Sequence, residues 1–329
     1  MHTTHIPYIT NLRVLATILV ITLHLCADYI FNYKNKSLQW ELINALDSIT
    51  RICIGLFFMI IGAVLIRKNI DLRSFLKKRF TRILYPFIFW SIIYILFDYW
   101  QGEKSLANIV WHSIYFGAYY HFWFVYILIG IYLLLPIISV FLLYGNKAYI
   151  QYFLVVWTVW LFANMYMFQD ILPNINLTYF SGYIGYVVLG YYYHYVIKKT
   201  PNYRIILAIV VGYLITVIGT TLVSSKSDYL ETIFYQYLDA NVALLTAGVF
   251  LLFKQFITRT NNFVKLISKY SYGIYFIHPL YIYTFVHFNI VFSWIWIVDV
   301  LIKTILVTLL SLASIYMLNK LPKGKLYIG

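Results

Sequence analysis

Long apolar segments alternate with short polar connections along this chain. A membrane helix needs about 20 mostly apolar residues to cross a hydrocarbon core about 30 Å thick, and these segments have that length. The pattern predicts ten spans, near residues 12–31, 50–66, 83–99, 122–143, 150–168, 179–197, 204–222, 236–256, 272–290 and 294–318. The aromatic segment 105–120 is weakly amphipathic, and we interpret it as lying at the membrane interface rather than crossing.

The composition agrees with a membrane protein. Hydrophobic residues make up 62% of the 329 residues, and charged residues only 11%. A soluble core cannot cover that much apolar surface, whereas a helical bundle in lipid can leave it in contact with acyl chains. The sequence therefore predicts an all-α polytopic membrane bundle. We expect residues 1–329 to form one domain, surrounded by lipid in the plasma or inner membrane.

The formal net charge of +14 would suit a nucleic-acid-binding protein, but the positions of the basic residues favour a topology signal. One side of the predicted bundle has few of them in its connections, namely Lys34, Lys36, Lys104 and Lys226. The other side and the tail have many more, namely Arg67, Lys68, Arg73, Lys77, Lys78, Arg79, Arg82, Lys147, Lys198, Lys199, Arg204, Lys254, Arg259, Lys265, Lys269, Lys320, Lys323 and Lys325. Because basic loops stay inside, both termini are predicted to be cytoplasmic, and no nucleic-acid partner is expected.

Arg13 and His24 lie in the first apolar span with only uncharged residues between them. Eleven residues make almost three helical turns, so both side chains share one face, about 16 Å apart along the helix axis. Ionisable groups are costly in lipid, so this face should line a polar interior, where His24 can act as a general base. Asp28, one turn further, could orient the ring or raise its basicity. The alternative is a histidine that bonds a neighbouring backbone.

Other basic side chains have both a functional and a structural interpretation. Arg79 and Arg82 share a helix face at an inner entrance and could bind phosphates, but anchoring in anionic lipid explains them equally well. Arg51 follows Asp47 by one helical turn. The two either neutralise each other or leave Arg51 facing the cavity from the outer side.

Several polar residues in the second half of the chain also have two interpretations. His121 and Trp123 open the fourth span, where they could stack on and hydrogen-bond a sugar or anchor the helix at the interface. His278, next to a proline, either bonds the carbonyl that the proline frees or faces the cavity. Asp299 and Lys303 are interpreted as a structural pair within the last span.

Sequence motifs bear on several other classes of function. Cys26 and Cys53 both fall within predicted spans, which argues against a disulfide framework or a metal site. No phosphate-binding glycine loop is present, so an ATP-driven machine is not predicted. A glycan or small-solute transporter or flippase without acyl chemistry remains the main alternative, because many spans with midplane polar residues fit it as well.

The chain resembles the acyltransferase 3 family of polytopic membrane proteins at several landmarks. These are Asn11-Leu-Arg13 followed by His24, Phe57-Phe58-Met59 with Gly62, Arg79-x-x-Arg82-Ile-Leu-x-Pro86, His121-x-Trp123-Phe124 and Ser271-Tyr-Gly-Ile-Tyr-x-Ile-His278. They keep the family's order over about residues 8–280. Within the family, the chain looks most like the branch that O-acetylates bacterial surface glycans such as enterobacterial common antigen. Two positions depart from the family pattern: Asn11 where Asp is frequent, and Ile61 where a small Ser is common.

The resemblance implies a cytoplasmic acyl-CoA donor, usually acetyl-CoA, and an acceptor hydroxyl near the outer face on a glycan or a lipid-linked oligosaccharide. It implies that His24 is the essential base and that Arg13, Arg79 and Arg82 bind the donor. No metal cofactor is expected. The pantetheine arm of the donor would then run alongside the first helix, and the thioester would meet His24. A covalent acyl-histidine relay is the variant of this hypothesis.

Overall fold

The structure, a computed structural model, describes residues 6–31, 37–66, 71–102, 105–165, 182–227 and 229–328. Within these ranges every regular element is helical. The α-helices are α1 (Pro7–Ile30), α2 (Leu38–Thr50), α3 (Ile52–Leu65), α4 (Leu72–Trp100), α5 (Leu106–Phe116), α6 (Trp123–Tyr144), α7 (Lys147–Asn164), α8 (Ile184–Tyr191), α9 (Asn202–Ser224), α10 (Ala240–Phe256), α11 (Asn262–His287), α12 (Trp296–Leu318) and α13 (Gly324–Ile328). A π-helical turn (Tyr192–Val196) and a 3₁₀ turn (Ile233–Tyr235) complete them.

Seven segments of the described chain are long and apolar enough to cross a membrane, which confirms the predicted all-α, multi-pass bundle. They are Pro7–Ile30, Leu38–Leu65, Leu72–Trp100, Trp123–Tyr144, Asn202–Ser224, Ile233–Phe256 and Trp296–Leu318. Seven spans in the described ranges are fewer than the ten predicted, and the count of ten stays a prediction. The predicted spans 150–168 and 179–197 extend into residues outside the described ranges, as do Lys34, Lys36, Arg67, Lys68 and Lys104 of the topology argument.

Helix boundaries differ from the apolar runs because capping side chains, and not hydropathy, determine where a helix begins. The second span begins at Leu38, where Ser37 accepts a hydrogen bond from the backbone N–H of Trp40 at 3.3 Å. It is divided into α2 and α3 at Arg51. α4 begins at Leu72, well before the predicted residue 83, because Asp71 accepts from the N–H of Ser74. α5 has 11 residues and is about 16 Å long, too short to cross, in agreement with an interfacial segment.

α1 lies at the centre of the bundle and packs against α2, α3, α10, α11 and α12. The segment formed by α2 and α3 is similarly enclosed, whereas α4 and α9 have most of their surface on the outside of the protein. The predicted structural pair is confirmed on α12, where Lys303 Nζ lies 2.7 Å from Asp299 Oδ2. Lys303 also donates to the hydroxyl of Tyr29 at 3.0 Å, which ties α12 to α1. The helix with the predicted base is therefore held on all sides.

Two glycines let α3 and α8 approach at backbone distance. A Cβ on Gly62 would lie 1.9 Å from the carbonyl oxygen of Val187, and a Cβ on Gly190 would lie 2.1 Å from that of Met59. Small residues at such crossings allow membrane helices to pack closely without a hydrophobic driving force. The close crossing positions α3, which forms one wall beside α1.

We predict that Gly62→Ala destabilises the protein by about 2 kcal/mol or more, because the added methyl group meets backbone that cannot rotate away. The measurement is the midpoint of heat-induced unfolding in detergent. Gly130→Ala is the matched control: Gly130 is also helical, on α6, and a methyl group added there would have no atom within 4 Å. Equal midpoints for the two variants would contradict the close crossing.

Candidate active site

His24 lies inside the bundle on the side of α1 that packs against α11. Its ring stacks on that of His278, with centroids 5.4 Å apart and planes 25° apart. The ring of Tyr120 meets it edge-on at 4.8 Å. His24 makes no hydrogen bond to any residue in the described ranges, and its side chain is partly exposed although both chain neighbours are buried. An accessible, unpaired imidazole is available to take a proton from a bound hydroxyl.

The ring of His278 bonds a backbone carbonyl of its own helix and at the same time contacts His24. Its Nδ1 lies 3.2 Å from the backbone carbonyl oxygen of Ile274, in the turn before Pro279, while its ring faces His24. A carbonyl oxygen only accepts, so Nδ1 carries the proton and the neutral ring has its lone pair on Nε2. Nε2 is buried and has no hydrogen-bond partner among the described residues.

His121 brings a third imidazole to the same place. It lies in the turn between α5 and α6, which begins at Gly117 with a φ of 91°. Its ring centroid is 5.6 Å from that of His278 and 5.0 Å from that of Tyr275, whose hydroxyl donates to the His121 backbone carbonyl. The side chain is buried, and neither ring nitrogen has a partner in the part of the chain that the structure describes. Buried polar atoms are rarely unpaired in folded proteins, so these nitrogens are suited to a bound molecule.

A cavity of about 20 Å³ lies between these side chains. It has room for about one water-sized atom, so a bound acyl group needs the surrounding side chains to move apart. No group of three or more His, Cys, Asp or Glu side chains in the described ranges is arranged to hold a metal ion. The residues around the cavity are Val20, Leu23, His24, Cys53, Ile54, His121, Trp123, Phe124, Tyr237 and Tyr275.

The three arginines predicted to bind a donor converge on one tyrosine from two different helices. Arg13 of α1 and Arg79 and Arg82 of α4 all interact electrostatically with the hydroxyl of Tyr132 on α6. The guanidinium of Arg79 lies 6.0 Å from the centre of the Tyr132 ring. Arg13 Nη1 donates to Ser268 Oγ of α11 at 3.3 Å, and Arg82 is exposed. Such a concentration of positive charge suits a polyanionic ligand.

One side of α11 connects this arginine group with the histidine group. Ser268 contacts Arg13, and His278 contacts His24, so both ends of the polar stripe on α1 face the same partner helix. The hydroxyl of Tyr272 lies between the two ends, buried and without a partner among the described residues. The predicted common face of Arg13 and His24 is therefore directed into the bundle.

The interior between the two groups is narrow. A second gap is lined by Thr17, Val20, Ile21, Phe57, Ile274, Tyr275 and His278. This gap has no room for a water molecule. Any arm that passes from the arginines to the histidines must therefore separate α1 from α11 or rotate the side chains between them.

Comparison with known proteins identifies the family. Residues 6–317 match the model of the acyltransferase 3 domain. The match runs from just before α1 almost to the end of α12. The chain belongs to the acyltransferase 3 family. No curated protein and no solved structure matches it. The protein is thus a multi-pass membrane acyltransferase, and the match favours group transfer over a transporter without acyl chemistry.

The structure gives contacts for three further residues of the predicted site in this acyltransferase. Asp28 makes no hydrogen bond to His24; its charge acts instead on Lys303, across the α1–α12 contact. Arg51 forms the expected ion pair with Asp47, and its charge also reaches His24. Trp123 lines the cavity beside His24.

Asn11, at the position where the family often has Asp, does not pair with Arg13. Its side-chain amide donates to the backbone carbonyl oxygens of Pro7 at 2.9 Å and Arg259 at 3.1 Å. The hydrogen bond that Arg13 makes goes to Ser268 instead. Asn11 carries no charge, so it cannot neutralise the positive charge of Arg13 as an aspartate at this position of α1 could.

Sequence reasoning missed several tyrosines of the site in this acyltransferase. Tyr120 and Tyr237 reach His24 and the cavity from connections between helices, and no periodic pattern places such residues. Tyr275 was detectable, because it precedes His278 by three residues and therefore lies on nearly the same side of α11. Tyr132 could not be distinguished by sequence pattern from the other residues of the apolar helix α6.

Proposed function

We propose that this acyltransferase moves an acetyl or similar short acyl group from cytoplasmic acyl-CoA to a hydroxyl of a cell-surface or lipid-linked glycan. Both termini are cytoplasmic in this proposal, so the arginine group faces the donor and the histidine group lies deeper in the membrane. The observation that supports it most strongly is the contact of both Arg13 and His24 with α11, which gives the donor-binding charge and the base a common interior wall.

Donor binding is assigned to the arginine group. The phosphates of coenzyme A are polyanionic, and guanidinium groups bind phosphate oxygens with paired, charge-assisted hydrogen bonds. Arg13, Arg79 and Arg82 all lie within electrostatic range of Tyr132, which places their charges around one possible binding position for such a ligand. The pantetheine arm then extends along α11 toward the histidines, past the unpaired hydroxyl of Tyr272.

The chemical step is assigned to His24. Its imidazole removes the proton of the acceptor hydroxyl while the hydroxyl oxygen attacks the thioester carbonyl carbon. The carbon–sulfur bond then breaks, the acyl group stays on the acceptor oxygen, and the thiolate of coenzyme A takes the proton from His24. In the alternative relay, His24 itself accepts the acyl group first and passes it on to the hydroxyl.

Acceptor binding is assigned to the outer side chains of the cavity. Aromatic rings such as Trp123 stack on the apolar faces of sugars, and the unpaired nitrogens of His121 can bond sugar hydroxyls. This chemistry, together with the resemblance to the branch that O-acetylates surface glycans, favours a glycan over a free alcohol or water.

The test uses inside-out membrane vesicles from the cells that make this protein, which hold both the enzyme and its acceptor. Labelled acetyl-CoA is added, and ester-linked label is measured in the glycan and lipid-linked fractions. We expect alkali-labile label in wild-type vesicles and none in vesicles from a deletion strain. Equal labelling of the two would contradict the proposed function, as would label found only in free acetate.

Rapid quenching separates the two mechanisms. The purified protein is mixed with labelled acetyl-CoA without acceptor and denatured within milliseconds. Direct transfer predicts no label on the protein, whereas the acyl-histidine relay predicts stoichiometric label that is absent from His24→Ala.

A further inference from the structure

An acyl-transfer site needs a hydrogen-bond donor for the thioester carbonyl oxygen as well as a base for the hydroxyl. Negative charge develops on that oxygen in the transition state, and donors held in place before the reaction stabilise it. His24 supplies only the base. The donor must therefore come from the other side chains around the cavity.

Two tyrosines line this cavity, and their hydroxyl groups differ in their hydrogen bonds. The hydroxyl of Tyr275 donates a hydrogen bond to the backbone carbonyl of His121. The hydroxyl of Tyr237 has no hydrogen-bond partner in the described ranges, although its ring lines the cavity with His24. An O–H group with no partner at the edge of a water-sized space can donate to an oxygen atom placed there.

The position of Tyr237 is fixed by contacts at both its backbone and its ring. Its backbone carbonyl accepts a hydrogen bond of 2.6 Å from the hydroxyl of Tyr186 on α8. Its ring stacks on the indole of Trp123, with centroids 5.6 Å apart and planes 27° apart. These contacts restrain the ring of Tyr237, and donors that are restrained before the reaction stabilise an oxyanion most effectively.

Arg51 adds positive charge behind this hydroxyl. Its guanidinium forms an ion pair with Asp47 and lies 4.1 Å from the centre of the Tyr235 ring. Its Nε is buried with no partner among the described residues, and the charges of both Arg51 and Asp47 act on the hydroxyl of Tyr237. The effect of Arg51 is the larger of the two, so the pair favours negative charge near this hydroxyl.

We propose that Tyr237 is a catalytic residue that donates a hydrogen bond to the thioester carbonyl oxygen, opposite His24, with Arg51 as its electrostatic support. This inference rests on the proposed acyl transfer. As the acceptor oxygen bonds to the carbonyl carbon, the π electron pair moves onto the carbonyl oxygen, and the Tyr237 O–H stabilises it. When the pair returns, the carbon–sulfur bond breaks, and the Tyr237 hydroxyl ends the cycle still protonated.

The test is Tyr237→Phe, assayed in the vesicles with labelled acetyl-CoA. We expect the apparent kcat to fall about 10²- to 10³-fold while the KM for acetyl-CoA stays within about threefold, since one donor is lost from the transition state only. Tyr183→Phe is the matched control, because the Tyr183 ring also lies beside Trp123, at 6.4 Å, but does not line the cavity. It should keep the wild-type rate.

A sulfur-substituted donor separates catalysis from a structural effect. Acetyl-dithio-CoA has C=S in place of the thioester C=O and accepts hydrogen bonds poorly, so Tyr237→Phe should slow this donor far less than it slows acetyl-CoA. An equal loss with both donors, or a wild-type rate with acetyl-CoA, would overturn the assignment of Tyr237 while leaving acyl transfer intact. Absence of transfer by the wild-type protein would instead contradict the proposed function itself.

Discussion

His24→Ala should reduce acyl transfer at least about 10³-fold in vesicles supplied with labelled acetyl-CoA. A positioned general base contributes about 10²- to 10⁴-fold to such reactions, and the described site offers no second imidazole with the same exposure, since His121 and His278 are buried. The KM for acetyl-CoA should not change, because the proposed binding position of the donor's phosphates is at the other end of α11. Folding should also be retained, because the side chain makes no hydrogen bond to the described residues.

The control for this variant is His112→Ala. His112 is an exposed histidine of α5 whose ring contacts Phe116 at 4.9 Å, outside the cavity. The His112→Ala variant should transfer acetyl groups at the wild-type rate. Transfer by His24→Ala at the rate of this control would show that the base lies elsewhere.

Arg13→Gln should raise the KM for acetyl-CoA about 10- to 100-fold. A hydrogen bond to a charged group is worth about 1.5 to 3 kcal/mol, and each 1.4 kcal/mol corresponds to a factor of ten. Glutamine can still bond Ser268, so the contact between α1 and α11 should persist and the apparent kcat should fall much less. Initial rates over a range of acetyl-CoA concentrations measure both quantities.

Two comparisons make this test specific. Lys78→Gln removes a positive charge from an exposed position of α4, in the same helical segment as Arg79, and should leave the KM unchanged. S-acetylpantetheine lacks the phosphates and the nucleotide, so the wild type and Arg13→Gln should use it equally poorly. If Arg13→Gln slowed S-acetylpantetheine as much as acetyl-CoA, the role of Arg13 would be in the chemical step and not in phosphate binding.

Features that depend on a single helix were predictable from the sequence. The spacing of Arg13 and His24 within one apolar helix determines that they share a face, and in the structure both contact α11. The pair Asp299–Lys303 follows from the same local geometry. Placement on adjacent turns does not by itself produce a contact, however. Asp28 has the right spacing to His24, yet its charge acts on Lys303 of α12.

Features that depend on the tertiary arrangement could not be predicted. Tyr120 reaches His24 and Tyr237 reaches the cavity through turns whose course depends on packing, such as the turn that begins at Gly117. The hydrogen bond between His278 and Ile274 is local, but its stacking on His24 depends on how α1 meets α11. The start of the second span at Leu38 was missed because Ser37 caps α2 before the apolar run begins.

The dry gap between the arginines and the histidines has a consequence for the cell's energy supply. Residues such as Thr17, Val20 and Phe57 surround a space too small for water, so this part of the described interior offers no hydrogen-bonded file along which protons could hop. In the proposed transfer, the closed gap would keep the proton-motive force intact while the enzyme waits for a donor. Protons would have a path here only while a pantetheine arm holds α1 and α11 apart.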